Sequence, residues 1–393
     1  MRGGLFVFAL CATSTGLFGQ QTDSSTTRAV VPGVTHRRIV INSGPFRINV
    51  LEVDLRQPGV VIRAVRANDK FFGRETVSSM VQRYAGPGRV AGAINGDFFH
   101  IRAESENENN LIIEGALIKG VRFTDSPYDR FDAVHSQFAV DSANHPFIDR
   151  FMFAGEAILS RSRSIRIDRL NSIPPANGLV LYTSAFGDSE PRDSIGRHPL
   201  SLPLERVGQR GDTLIFRVAG GLTTNDPVSL RRGAALAAEG ISRADLREIA
   251  RSGRAVRIVV GLVPVRARLR TVMGGWPRLI NHGKSVLDSA ERLEGTTPSF
   301  SRDRHPRTAI GFSRDSTRLF LVTVDGRSES ASGMSLPELT KFMLDLGVYE
   351  GMNFDGGGST AMVVDGKLIN SPSDKTGERK VGSGLLVIVP NLR

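Results

Sequence analysis

Asn353-Phe354-Asp355-Gly356-Gly357-Gly358-Ser359-Thr360 sets an amide and a carboxylate directly before three glycines and two hydroxyls, and an apolar run, 361–364, follows. Three consecutive glycines have no side chains to pack and cost backbone entropy on folding. A folded chain keeps them where the backbone takes positive φ or comes close to something. Successive backbone N–H groups in such a turn form an anion-binding concavity, and the same octapeptide also reads as a tight turn with a capped Asp. Upstream, Ser335-Leu336-Pro337-Glu338 is a capping box with proline in the first turn. It predicts a helix that buries Leu336, Leu339, Phe342, Met343 and Leu346 and stops at Gly347. Before that helix, 307–312 and 318–324 read as a hairpin, the second strand apolar on both faces and therefore central. Asp325-Gly326-Arg327 ends it. Downstream come strands at 361–364, 367–370 and 384–389, with a polar loop, 371–380, that holds Asp374, Glu378 and Arg379. A right-handed strand–helix–strand crossover makes 325/327 and 353/355 neighbours on adjacent parallel strands.

Working outward, the chain has 393 residues, 40% of them hydrophobic and 23% charged, which suits a globular protein of one large domain or two. The net charge is +11, with arginine dispersed and no long block of like charges. Such a surface favours anionic small ligands, phosphates or acidic glycans, and gives no nucleic-acid signature. Arg2, the apolar run 5–10 continuing weakly to Phe18, and the polar tract 21–27 read as a secretory signal cleaved near residue 20, implying a secreted or periplasmic protein. Cys11 is the one cysteine, and Leu10 before it does not suit a lipoprotein site. The mature chain would then lack disulfides, thiol nucleophiles and zinc–thiolate sites. No other apolar run approaches the ~20 residues that span a bilayer.

The expected class is α+β: mixed, strand-rich sheets with a few packed helices. The expected organisation is a signal peptide (1–20), a disordered tail (21–36), a β-rich N-terminal meander (37–88) and a main domain (89–393). Runs at 37–42, 46–54 and 60–65 make the meander, and 76–85 has helical spacing. The buried strand 89–94 delivers Asn95-Gly96-Asp97-Phe98-Phe99, a site element or an Asn-Gly hairpin turn. Residues 104–110 read as an exposed acidic loop and 160–178 as a linker or crossover. Trp276, behind Gly274-Gly275, is a sugar platform or a core anchor.

Arg307, Asp325, Arg327, Asp355, Asp374, Glu378 and Arg379 all fall at strand ends or in loops. Arginine grips phosphate bidentately and stabilises developing phosphate charge. Paired carboxylates suit glycosidic cleavage, one protonating the leaving oxygen while the other activates water or attacks the sugar. Order along the chain does not say which does which, and Asp–Arg pairs also serve as structural ion pairs. No G-x-S-x-G elbow and no H-E-x-x-H is present, and the seven histidines are scattered. No cofactor is required, although Asp97, Asp355 and Asp374 are hard oxygen ligands of the kind Ca²⁺ or Mg²⁺ takes.

Taken in order, Asn95-Gly96-Asp97-Phe98-Phe99, Gly274-Gly275-x-Pro277, Arg307 to Gly311, Val324 to Arg327, 353–360 and Asn370-x-Pro372-Ser373-Asp374 resemble the phosphodiester glycosidase domain family, from about residue 90 onward. That family usually has glycine where this chain has Asp97, leucine where it has Phe354, and a small residue where it has Trp276. The resemblance implies hydrolysis of a sugar-1-phosphodiester, N-acetylglucosamine-1-phosphodiester-like, at the anomeric C–O bond. It implies catalytic carboxylates among Asp325, Asp355 and Asp374. Asn95, Asp97, Arg307, Arg327, Asn353, Gly356, Gly357, Gly358, Ser359 and Arg379 would bind substrate, with Arg307 and Arg327 on the phosphate. The alternatives are a non-catalytic glycan- or exopolysaccharide-binding module and a metal-dependent phosphodiesterase cutting P–O.

Overall fold

Residues Arg318–Val324 are the structural centre of the chain. In the computed structural model, which describes residues 23–101, 105–124, 126, 130–191, 198–253, 255–264 and 268–391, this strand is buried on both faces beyond its first residue. Its odd and even positions divide between two cores. Leu319 and Leu321 join Leu51, Ile94, Met352 and Leu385 on one side. Phe320, Val322 and Val324 join Leu336, Leu339, Phe342 and Met343 on the other, under the helix Leu336–Asp345. Alternation with a period of two places successive side chains on opposite faces, so an all-apolar strand is stable only between two layers. The helix carries the expected capping box between Ser335 and Glu338.

Four sheets form. The first has eight strands, running in space from Ser24–Val31 through Val34–Ile41 and Phe46–Asp54 to Arg318–Val324, Arg307–Phe312 and Glu350–Phe354, then Arg278–Asn281 and Lys284–Ser285. A five-stranded sheet, with Arg89–Asn95 and Ser383–Val389 at its middle, packs against it through the shared core. A second five-stranded sheet centres on Leu269–Gly274. The fourth, eight-stranded, is built wholly from residues 152–263. Val180 and Tyr182 of this last sheet face the main core, while Leu181, Leu202 and Leu236 face the helix Ser242–Arg251. Strand-rich sheets with few helices are therefore the architecture, as expected.

Several expectations need correction. The signal segment 1–20 lies outside the described residues. Residues 24–31, expected to be disordered, pair with Val34–Ile41 as an edge strand. Of the three N-terminal runs, Val34–Ile41 and Phe46–Asp54 pair together, but Val61–Arg66 pairs instead with Ser383–Val389 in another sheet. Phe46–Asp54 also pairs with Arg318–Val324. The N-terminal region thus shares its sheets with the C-terminal strands, and no boundary near residue 88 separates them. Residues 160–178 are no plain linker, because Ser164–Ile167 and Arg169–Leu170 join the edges of the fourth sheet.

The expected exposed loop at 104–110 is also overturned, since 105–110 are buried. Partners explain it. Lys119 meets Glu106 at 2.6 Å with both side chains almost fully covered, and Ser172 donates to the same Glu106 carboxylate. Asn110 donates to Gln137 and to the carbonyl of Phe151. Charge and amides go inside only when paired. Removing one member of a buried ion pair leaves the other uncompensated. Lys119→Met is accordingly expected to cost about 3–5 kcal/mol, measured by urea unfolding, whereas Lys341→Met, at an exposed pair with Asp345, costs under about 1 kcal/mol.

Candidate functional site

The ends of four strands and one loop meet at one place. In the first sheet Arg307–Phe312 is antiparallel to both Arg318–Val324 and Glu350–Phe354 and lies between them. The two flanking strands are therefore parallel to each other, as the crossover predicted, but not adjacent. Arg307 pairs with Val324, and Thr308 with Phe354. Asp325 and Asp355 consequently leave the sheet at the same edge, with Pro306 and Arg307 between them. The end of Arg89–Asn95 arrives from the neighbouring sheet, and Gly96 accepts a hydrogen bond from the Asp355 N–H at 3.1 Å. The 371–380 loop closes over this edge, the Ser371 N–H donating to Asp325 Oδ1 at 3.1 Å.

Asp355 is half-buried. Desolvation is the main reason its carboxyl is pushed up to about 7. The Ser359 hydroxyl, Arg379 and the Gly356 N–H pull the other way, and Asp97 adds to the rise. Asp325, 7% exposed, is pushed up to about 6, again mainly by burial, against hydrogen bonds from Ser371 and Asn370 and the charges of Arg38 and Arg47. Two carboxyls that change charge near neutral pH thus stand at one sheet edge. Asp374 holds Arg379 with a bidentate pair of bonds, 2.7 and 2.9 Å. Arg379 also reaches Ser359 Oγ at 3.5 Å. Asp374 is in this way a tether for Arg379, with both oxygens engaged. Arg327 is exposed, takes φ +61°, and makes no ion pair among the described residues. A non-glycine residue at positive φ costs free energy that functional sites often hold.

Other expected ligand-binding residues are turned inward. Asn95 is 0% exposed: its Nδ2 donates to the Asp355 carbonyl at 2.6 Å, and its Oδ1 accepts from Thr308 Oγ1 and the Ala361 N–H. Asn353 is buried and donates to the Trp276 carbonyl at 2.7 Å. Arg307 is buried, with Nε and Nη2 given to the carbonyls of Met334, Phe300 and Asp303. Burial lowers its guanidinium to about 9, and Arg327 adds to the fall. Those donors are spent on the backbone, which corrects the phosphate role expected of Arg307. Glu378 caps the short helix Val77–Gln82 through the Ser78 N–H. Trp276 is wholly buried against His135 and Phe300, its Nε1 donating to the Glu294 carbonyl, and is a core anchor.

Asp97 is buried too, both oxygens accepting from Asn109 at 2.8 Å. Asp374 is equally engaged by Arg379, and among the described residues no group of three or more His, Cys, Asp or Glu comes together as a metal site. The glycines also differ from expectation. A side chain on Gly358 would strike Arg379 and Asp374, one on Gly356 would meet the Pro306 carbonyl, and one on Gly274 would strike Asp97. Gly357 takes φ +58° beside Arg327. The space these residues leave empty is filled largely by the protein's own charges. Sequence reasoning missed the buried polar segment 105–110 that backs Asp97. Its signal was Lys119, a lone cation in an apolar hairpin.

The family model of phosphodiester glycosidase matches residues 207–388. The match begins inside the fourth sheet, later than the expected residue 90, so it includes Asp325, Arg327, Asp355, Asp374 and Arg379 but neither Asn95 nor Asp97. The human N-acetylglucosamine-1-phosphodiester alpha-N-acetylglucosaminidase is 33% identical over 110 residues, 26% of this chain and 21% of that protein. The SPbeta prophage-derived protein YomE of Bacillus subtilis is 41% identical over 107 residues, 27% of this chain and 16% of that protein. The chain thus spans about a fifth of the length of these curated relatives or less. A crystal structure of a hypothetical protein from Synechocystis shares the fold, with a TM-score of 0.73 at 20% identity, covering 93% of this chain and 64% of that one.

Gly358→Ala is expected to force Arg379 off Asp374 and to cost about 1–3 kcal/mol through overpacking, read as a lowered Tm. Gly208→Ala, where nothing lies within 4 Å of the added carbon, serves as the near-neutral control.

Proposed function

We propose that this chain, whose residues 207–388 match the phosphodiester glycosidases, hydrolyses a sugar-1-phosphodiester at the anomeric C–O bond. The substrate class is N-acetylglucosamine-1-phosphodiester-like, and the setting is secreted or periplasmic. The observation that carries this reading is the pair of carboxyls raised by burial, Asp325 and Asp355, at one sheet edge beside Arg327 and Arg379.

Water attacks C1, and the C1–O bond breaks with its electrons passing to the phosphate oxygen. Asp325, its carboxyl near 6, is mostly ionised at pH 7 and takes the proton from water. Asp355, near 7, still holds a proton and delivers it to the departing phosphomonoester. Environments that push two carboxyls apart assign the base and the acid. Arg327 supplies positive charge where phosphate charge grows, and Asp374 keeps Arg379 aimed at Ser359 and Asp355. One strand separates the two carboxylate-bearing strands, so their backbones stand about 10 Å apart.

Three expectations test this. Hydrolysis of a sugar-1-phosphodiester in ¹⁸O water puts the label on the sugar hydroxyl, and label in the phosphate overturns C–O cleavage. The pH profile of kcat/KM is a narrow bell. Asp325 must be ionised, so activity falls as pH drops below about 6, and Asp355 must be protonated, so activity falls above about 7. Asp355→Asn lowers kcat by about 10²–10⁴-fold. A carboxyl raised in the folded state stabilises the fold less as pH rises through its folded value, so the same variant keeps or raises Tm at pH 8. A lower Tm with unchanged kcat contradicts the assignment.

A further inference from the structure

Asp97 stands close to the proposed acid yet has no free face for a ligand. Its side chain is 2% exposed, lies over the bare α-carbon of Gly274, and gives both oxygens to Asn109, one to the backbone N–H and one to the side-chain amide. Gly96, the preceding residue, is bonded to Asp355. We propose that Asp97 is a positioning residue for Asp355: a fixed negative charge, kept off the substrate by Asn109, that holds Asp355 in the protonated form an acid needs. The proposal rests on the reading of Asp355 as the acid.

The surrounding charges support this division of labour. Asp97 faces Lys119 and His135, and Asp355 faces Arg379 and Ser359. Each of the two permanent cations is already engaged by another carboxylate, Lys119 by Glu106 and Arg379 by Asp374. Each still draws the carboxyl it faces downward, Lys119 acting on Asp97 and Arg379 on Asp355, and Asp97 acts on Asp355 against that pull. Two carboxyls this close in a poorly hydrated place ionise one after the other. Asn109 gives Asp97 two directed donors, which favour its ionised form, and the shared proton stays on Asp355. Burial leaves the Asp97 carboxyl raised overall, and those donors, with Lys119 and His135, oppose the rise.

The test is Asp97→Asn, which keeps shape and removes charge. The alkaline limb of the kcat/KM profile is expected to move down by about one pH unit, making turnover at pH 8 about tenfold lower, with the acid limb and KM unchanged. An unmoved alkaline limb overturns the proposal. Carboxyl ¹³C NMR of the unsubstituted protein gives the same answer without substrate and without a variant that must fold. The Asp97 carbon is expected to show a second step where Asp355 titrates, a step lost in Asp355→Asn. Independent titration of the two carbons overturns the pairing. Absent turnover of any sugar phosphodiester with the coupled titration intact would sink the glycosidase reading and leave the pairing of Asp97 with Asp355 standing.

Discussion

The buried amide of Asn95 is the constraint on which the candidate site depends. It belongs to one sheet, yet its oxygen takes Thr308 from the other and the Ala361 N–H beyond the glycine turn, and its nitrogen holds the Asp355 carbonyl. A single side chain therefore fixes where two sheets and the 355–361 turn meet. A buried amide left half-satisfied would cost on the order of 1–3 kcal/mol. Its three partners make the junction rigid rather than merely compact. Asp355 inherits its position from that junction, and Asp325 inherits its own from the 371–380 loop bonded to it.

Around this fixed point the site is built from displaced charge. Glycines at 274 and 358 remove the Cβ atoms that would block Asp97, Arg379 and Asp374. Close approach of charged side chains to the backbone brings acids and cations together while excluding water, which raises the energetic weight of every pair. The result is four carboxyls in different surroundings: Asp374 engaged by Arg379, Asp97 by Asn109, and Asp325 and Asp355 pushed up by burial to about 6 and about 7. Environment alone distinguishes four aspartates of identical intrinsic chemistry.

Much of this was legible in the chain. The two-faced apolar pattern of 318–324, the capping box at Ser335 and Glu338 and the run of motifs identified the central sheet, the crossover and the edge where carboxylates gather. What escaped was long-range. Nothing local says that Arg307–Phe312 intervenes between two strands joined by a helix, since pairing partners are chosen by the whole sheet. Asn95, Asn353 and Arg307 read as ligand-binding because polar residues at strand ends commonly are. Only the tertiary positions of Thr308, Trp276 and Met334 show that the fold itself takes up the Asn95 oxygen, the Asn353 nitrogen and the Arg307 Nε. The segment 105–110 looked exposed by composition, and its partners Lys119, Gln137 and Ser172 lie too far along the chain for pattern reading to supply them.

The pairing of early strands with late ones bears on how such a chain can be made. Phe46–Asp54 needs Arg318–Val324, and Val61–Arg66 and Arg89–Asn95 both need Ser383–Val389. During synthesis the N-terminal apolar strands thus emerge long before their partners, while residues 152–263 can complete their own sheet from sequence already made. Non-local pairing of this kind slows folding and leaves strand edges open. The nascent polypeptide must therefore stay unassembled around a finished middle until Ser383–Val389 is available, because that strand lies between Val61–Arg66 and Arg89–Asn95 and is what joins them.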